Sequence, residues 1–142
     1  MANIARTIMC LVLPLLFMVA GMMKIYPVFP GVYKEMVNKF QLYSTAFPTA
    51  WVGYPPDPDL YRIFVGSMEL SSALGVLLGP TGLKKMGCCI LITIMMGAIY
   101  THWFFLEFMP SLVPLVYMTW TMYVLWVTMQ DEAKSTKKMK TN

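Results

Sequence analysis

The chain has 142 residues, 58% of them hydrophobic and only 13% charged, with a formal net charge of +4. Soluble domains carry about 25% charged residues, so this balance excludes an ordinary water-soluble domain and points to a small multispanning membrane protein. Four stretches approach the roughly 20 apolar residues needed to cross a hydrocarbon core of about 30 Å, namely 8–23, 60–79, 86–105 and 112–127.

The fold class that follows is all-α: a four-helix transmembrane bundle with helices over about 7–24, 59–79, 85–105 and 111–129. A short amphipathic helix is expected in the first connection, over about 31–46. The membrane domain takes 1–130 and a basic tail takes 131–142. Four spans put the N-terminus, the second connection and the C-terminus on one side. That side holds Arg6, Lys84, Lys85, Lys134, Lys137, Lys138 and Lys140, and the other holds Lys24, Lys34, Lys39 and Arg62. The positive-inside rule then places both termini in the cytosol. Charge placed this way suggests contact between the tail and anionic membrane lipid, and no nucleic-acid role.

The first apolar stretch reads as a retained span, kinked at Pro14. Cleavage as a signal peptide near the small residues Val19-Ala20-Gly21 is the alternative. Lys24 closes the span, with a stem long enough to hold its ammonium at the interface. Beyond it, Val32, Tyr33, Met36, Val37, Phe40, Tyr43 and Phe47 recur at helical spacing opposite Lys34, Glu35, Asn38, Lys39 and Gln41. A helix of this kind caps the bundle, lies on the membrane surface or offers a groove to a partner. The stiff loop TAWVGYPPDP follows, with Trp51 and Tyr54 suited to the headgroup boundary. These two aromatics, with Phe40 and Tyr43, are the candidate partner contacts. Asp57-Pro58 supplies an N-cap and a proline at the first helical position.

In the second span Ser67, Ser71, Gly75 and Gly79 fall every four residues, and Thr93, Gly97 and Thr101 repeat the pattern in the third. Small-residue stripes of this kind let helices approach closely in lipid, which makes these the candidate packing residues. Glu69 shares its face instead with Arg62, Gly66 and Ala73. A charge at bilayer depth costs roughly 2.5–3.5 kcal/mol on insertion scales, so this carboxylate needs a partner. Lys24 enters from the same side, and a Lys24–Glu69 pair joined by Arg62 or by third-helix hydroxyls is expected to organise the bundle. The alternatives are a carboxyl carried in its neutral, protonated form, or one that binds a ligand.

Cys10, Cys88 and Cys89 do not form a disulfide framework, and they lie near the helix ends assigned to the cytosol. They read as small apolar packing residues, with palmitoylation of Cys88-Cys89 beside Lys84-Lys85 as the alternative. There is no Gly-rich phosphate loop, zinc ligand set, serine nucleophile motif or Cys-x-x-Cys, and His102 is the only histidine. No catalytic, cofactor-binding or metal-binding residue is therefore assigned; neither an enzyme nor a cofactor is expected. The end of the tail, Lys138-Met139-Lys140-Thr141-Asn142, has lysines third and fifth from the C-terminus. This fits the dilysine pattern by which cytosolic coat proteins return membrane proteins to the endoplasmic reticulum.

Gly21-x-x-Lys24, Gly53-Tyr54 before Pro56-Asp57-Pro58, Gly66-x-x-Glu69-Leu70, Gly79-Pro80 and Met95-Met96-Gly97-Ala98-Ile99 occur in this order. Together they resemble the NACHO family, small four-helix membrane proteins related to DoxX-like proteins, over roughly residues 8–127. The resemblance implies a multi-pass chaperone of the endoplasmic reticulum membrane that promotes assembly of nicotinic acetylcholine receptor subunits. Two other functions stay open: a DoxX-like membrane subunit tied to quinone or redox chemistry, and a lipid or small-molecule binder that uses Glu69.

Overall fold

Proline and glycine cut this apolar chain into helices. The computed structural model describes residues 2–140, with five α-helices, one 3₁₀ turn and no strand among them. Helix α1 spans Ala2–Ile25, α2 Pro30–Ala46, α3 Pro58–Leu78, α4 Thr81–Phe104 and α5 Phe108–Lys140. All but α2 are long and apolar enough to cross a membrane. Helix α2 begins on a proline, which ends the extended link from α1, and it sits across the bundle end opposite the termini. Helix α3 starts where Asp57 accepts a hydrogen bond from the Leu60 N–H at 2.8 Å, with Pro58 in the first turn.

Helix α3 is the centre of the bundle, packed on α1 along one side and on α4 along another, while α5 closes against α4. Its buried positions include Arg62, Gly66, Glu69, Ala73 and Val76, steps of four and three that keep one face inward. Close approach is secured by glycines. A Cβ on Gly21 would lie 2.7 Å from the Gly66 carbonyl oxygen, and one on Gly87 would lie 2.7 Å from that of Ser72.

The stripe expected to pack does not do so as a unit. Residues spaced by four drift about 40° per step, so Ser67 and Gly79 point about 120° apart. Ser71 is exposed and returns its hydroxyl to the Met68 carbonyl at 3.3 Å, while Gly75 and Gly79 pack on Leu83 at the corner into α4. Thr93 and Gly97 are exposed as well, and nothing lies within 4 Å of where a Gly97 Cβ would be. The close contacts with a neighbouring backbone are those of Gly21 with Gly66 and of Gly87 with Ser72.

The apolar core joins Leu13 and Phe17 of α1 to Ala73 and Val76 of α3, Leu91 and Met95 of α4 and Val124 of α5. It fills the half of the bundle nearer the termini. Cys88 is buried within it, whereas Cys89 is exposed. Pro14 is buried inside α1, and the Trp120 indole N–H donates to the Met9 carbonyl at 3.2 Å, beside the carbonyl that the proline leaves without an N–H.

Helix α5 does not stop near 129 but runs on to Lys140. Arg6 pairs with Asp131, and Lys85 with Glu132 at 2.8 Å, which ties this extension to the starts of α1 and α4. The side chains of Lys138 and Lys140 lie outside the described residues.

Candidate functional site

In a helix every Cα–Cβ bond tilts toward the N-terminus, so side chains on antiparallel helices lean toward each other. Lys24 near the end of α1 therefore leans back into the bundle, and Glu69 on α3 leans forward to meet it. Their Nζ–Oε2 distance is 2.7 Å. The Glu69 side chain is 3% exposed and that of Lys24 15%. Lys24 thus holds its ammonium on the carboxylate and not at the interface. Among the described residues Lys24 is the one partner of Glu69, whose second carboxylate oxygen accepts no hydrogen bond.

Arg62 does not join the pair. It is buried, it donates to the Lys24 backbone carbonyl and to Asp59 Oδ1 at 2.9 Å, and its guanidinium lies 4.7 Å from the centre of the Tyr33 ring. A cation on the last carbonyls of α1 satisfies groups that no further turn can reach, and it favours the negative end of the helix dipole. Arg62 thereby fixes the backbone from which Lys24 extends. The third-helix hydroxyls are also absent from the pair: Thr93 and Thr101 donate to their own helix, at Cys89 and Gly97.

Between the core, with which it shares Phe17 and Met95, and the loop end, the spans enclose a cavity of about 540 Å³. Glu69 and Lys24 stand on its wall among apolar neighbours such as Phe17, Val65, Ile94 and Tyr117. A smaller recess of about 270 Å³ lies on the other side of Lys24, against Glu35 and Lys39 of α2. Phe40, Tyr43 and His102 border both spaces and separate them.

Phe40 is buried and stacks edge-on with Tyr61 at 5.4 Å, and Tyr43 packs on His102 at 5.7 Å. Phe40 is thereby taken up by the bundle and Tyr43 is half-buried against it, as expected of an amphipathic helix that caps a bundle with its aromatic face down. Trp51 and Tyr54 differ, being 65% and 78% exposed. His102 Nδ1 lies 2.8 Å from Glu107 Oε2 across the tight turn into α5. Burial pushes the Tyr43 hydroxyl up to about 12, with the Glu107 carboxylate adding to the effect.

The contact that sequence reasoning missed is Gly21 against Gly66. Its signal was present, because Gly-x-x-Lys and Gly-x-x-Glu are mirrored patterns on antiparallel helices: the glycines bring the backbones close and the charges then meet. Among the described residues no group of three or more His, Cys, Asp or Glu side chains could hold a metal ion.

Four apolar spans around a buried ion pair and a cavity define a multi-pass membrane protein with a polar centre. The family model described as the DoxX-like family matches residues 8–124, and the chain belongs to that family.

Proposed function

We propose that this chain is an assembly factor of the endoplasmic reticulum membrane that promotes folding and assembly of nicotinic acetylcholine receptor subunits, or of related pentameric channel subunits. Within the DoxX-like family, the ordered motifs from Gly21-x-x-Lys24 to Met95-Met96-Gly97-Ala98-Ile99 resemble the NACHO branch. The observation that carries the reading is the aromatic ledge at the bundle end opposite the termini. Gly53, at φ +87°, turns the chain sharply, Trp51 stacks on Phe104 at 6.4 Å, and Trp51, Val52 and Tyr54 stand outward. A rigid apolar ledge at a membrane boundary suits transient contact with a subunit that still lacks its neighbours.

In this reading the ledge faces the lumen, membrane lipid surrounds the spans, and cytosolic coat proteins retrieve the chain through Lys138 and Lys140. The test is co-expression with nicotinic receptor subunits, with surface binding of a radiolabelled antagonist as the readout. The chain is expected to raise assembled receptor, and Trp51→Ser with Tyr54→Ser to abolish the gain while the chain itself accumulates normally. No gain with the unaltered chain overturns the proposal. Loss of the two tail lysines is expected to move the chain out of the endoplasmic reticulum.

A further inference from the structure

We propose that the 540 Å³ cavity is a binding site for one neutral, hydroxyl-bearing membrane lipid, with its hydroxyl seated between the Lys24 ammonium and the Glu69 carboxylate. The inference goes beyond the assembly role and stands on the site alone. The volume falls in the range of about 300–1,000 Å³ typical of small-molecule pockets. Its walls are overwhelmingly apolar, and Leu16, Phe64, Gly97 and Val113, one on each span, are both cavity-lining and exposed. Such a cavity communicates sideways with hydrocarbon. At the loop end it is bounded by the Phe40 and Tyr43 rings, so its occupant arrives from the bilayer.

The polar end decides the head group. Glu69 and Lys24 together are neutral, so an anionic head would oppose the carboxylate and a cationic one the ammonium, at low dielectric. A neutral head has neither cost. Lys24 has three N–H donors and gives one to Glu69 Oε2; among the described residues the second Glu69 oxygen accepts nothing. A hydroxyl accepts from the ammonium and donates to that oxygen at once, whereas a ketone, ester or ether only accepts. Sterols and diacylglycerols both present such a hydroxyl on an apolar body.

The full chain, purified and reconstituted in phosphatidylcholine nanodiscs, is labelled with a photoactivatable alkyne sterol in one arm and a photoactivatable alkyne diacylglycerol in the other. The O-methyl ether of each probe is the matched control. Saturable labelling of cavity-lining peptides by either probe supports the proposal, and the arm that labels identifies the source. The ether is expected to bind roughly tenfold more weakly, the loss of one hydrogen bond to a charged group. Gly97→Leu is the second variant: Gly97 lines the cavity with nothing within 4 Å of where its Cβ would lie, so the added side chain starts in open space and occupies part of the cavity. It is expected to abolish labelling with an unchanged melting temperature. Equal labelling by the ethers, no saturable labelling in either arm, or full labelling of a folded Gly97→Leu chain overturns the proposal. No receptor subunit is present, so the result is independent of the assembly reading.

Discussion

Lys24→Met removes one half of an ion pair whose other half has nowhere to go. Glu69 is 3% exposed and its one partner among the described residues is 2.7 Å away, so the variant strands a buried carboxylate among apolar side chains. Breaking a buried pair in this way costs about 3–5 kcal/mol. Glu69→Gln is not the mirror image. It keeps an acceptor for the lysine, and Lys24, 15% exposed, borders the recess beneath α2, where its flexible stem can turn toward water. That change is expected to cost about 1–2 kcal/mol. Replacing both residues by methionine removes the stranded charge and is expected to recover most of the Lys24→Met loss. The assay is thermal or SDS-induced unfolding of the purified chain in mild detergent, read as a double-mutant cycle. A Lys24→Met chain no less stable than Glu69→Gln, or a double variant no better than Lys24→Met, would refute the assigned geometry.

Three further outcomes follow from the packing around Gly66, Gly97 and Tyr43. Gly66→Ala places a Cβ 2.9 Å from Lys24 Cβ and 3.0 Å from the Gly21 carbonyl oxygen, so α1 and α3 must separate, at about 1–3 kcal/mol in the same unfolding assay. Gly97→Ala, with open space around its Cβ, serves as the control and should leave stability nearly unchanged. Tyr43 is held in its neutral form up to about pH 12, above the ordinary tyrosine value of about 10, because it is half-buried and next to Glu107. In the unfolded chain this group ionises first, so its contribution to stability is constant below about pH 10 and is lost as pH rises toward 12. Tyr43→Phe should flatten that slope in a melting-temperature series.

The spans were legible because about 20 apolar residues in a row have few alternatives to crossing a membrane. The start of α3 was legible for a local reason, since Asp57-Pro58 caps and begins a helix whatever surrounds it. Pairwise geometry was harder. Spacing placed Glu69 on the face of Arg62, Gly66 and Ala73, but which helix meets that face depends on how α1 and α3 cross. The four-residue serine and glycine stripe packs only at Gly75 and Gly79, because regular spacing in sequence drifts around a helix with 3.6 residues per turn. Arg62 was close to the right place with the wrong partner: its fork reaches the carbonyl end of α1 sooner than a carboxylate two turns further along its own helix. The length of α5 was hidden as well, because the pairing of Asp131 and Glu132 with Arg6 and Lys85 on neighbouring helices is not visible in the spacing of the tail.

The contact of Gly87 with the Ser72 carbonyl has a mechanical side. It sits near the corner that joins α3 to α4, while the cavity lies toward their other ends. Ser72 is 14 residues from Pro58, which is about 21 Å along α3 at about 1.5 Å per residue. A rotation of roughly 10° about that point would carry the far end of the helix by about 4 Å. Helix α3 is therefore a lever arm with its fulcrum at the packed end: a small adjustment there is magnified at the start of α3 beside the aromatic ledge, whereas Glu69, about 4.5 Å from Ser72 along the helix, moves by only about 1 Å.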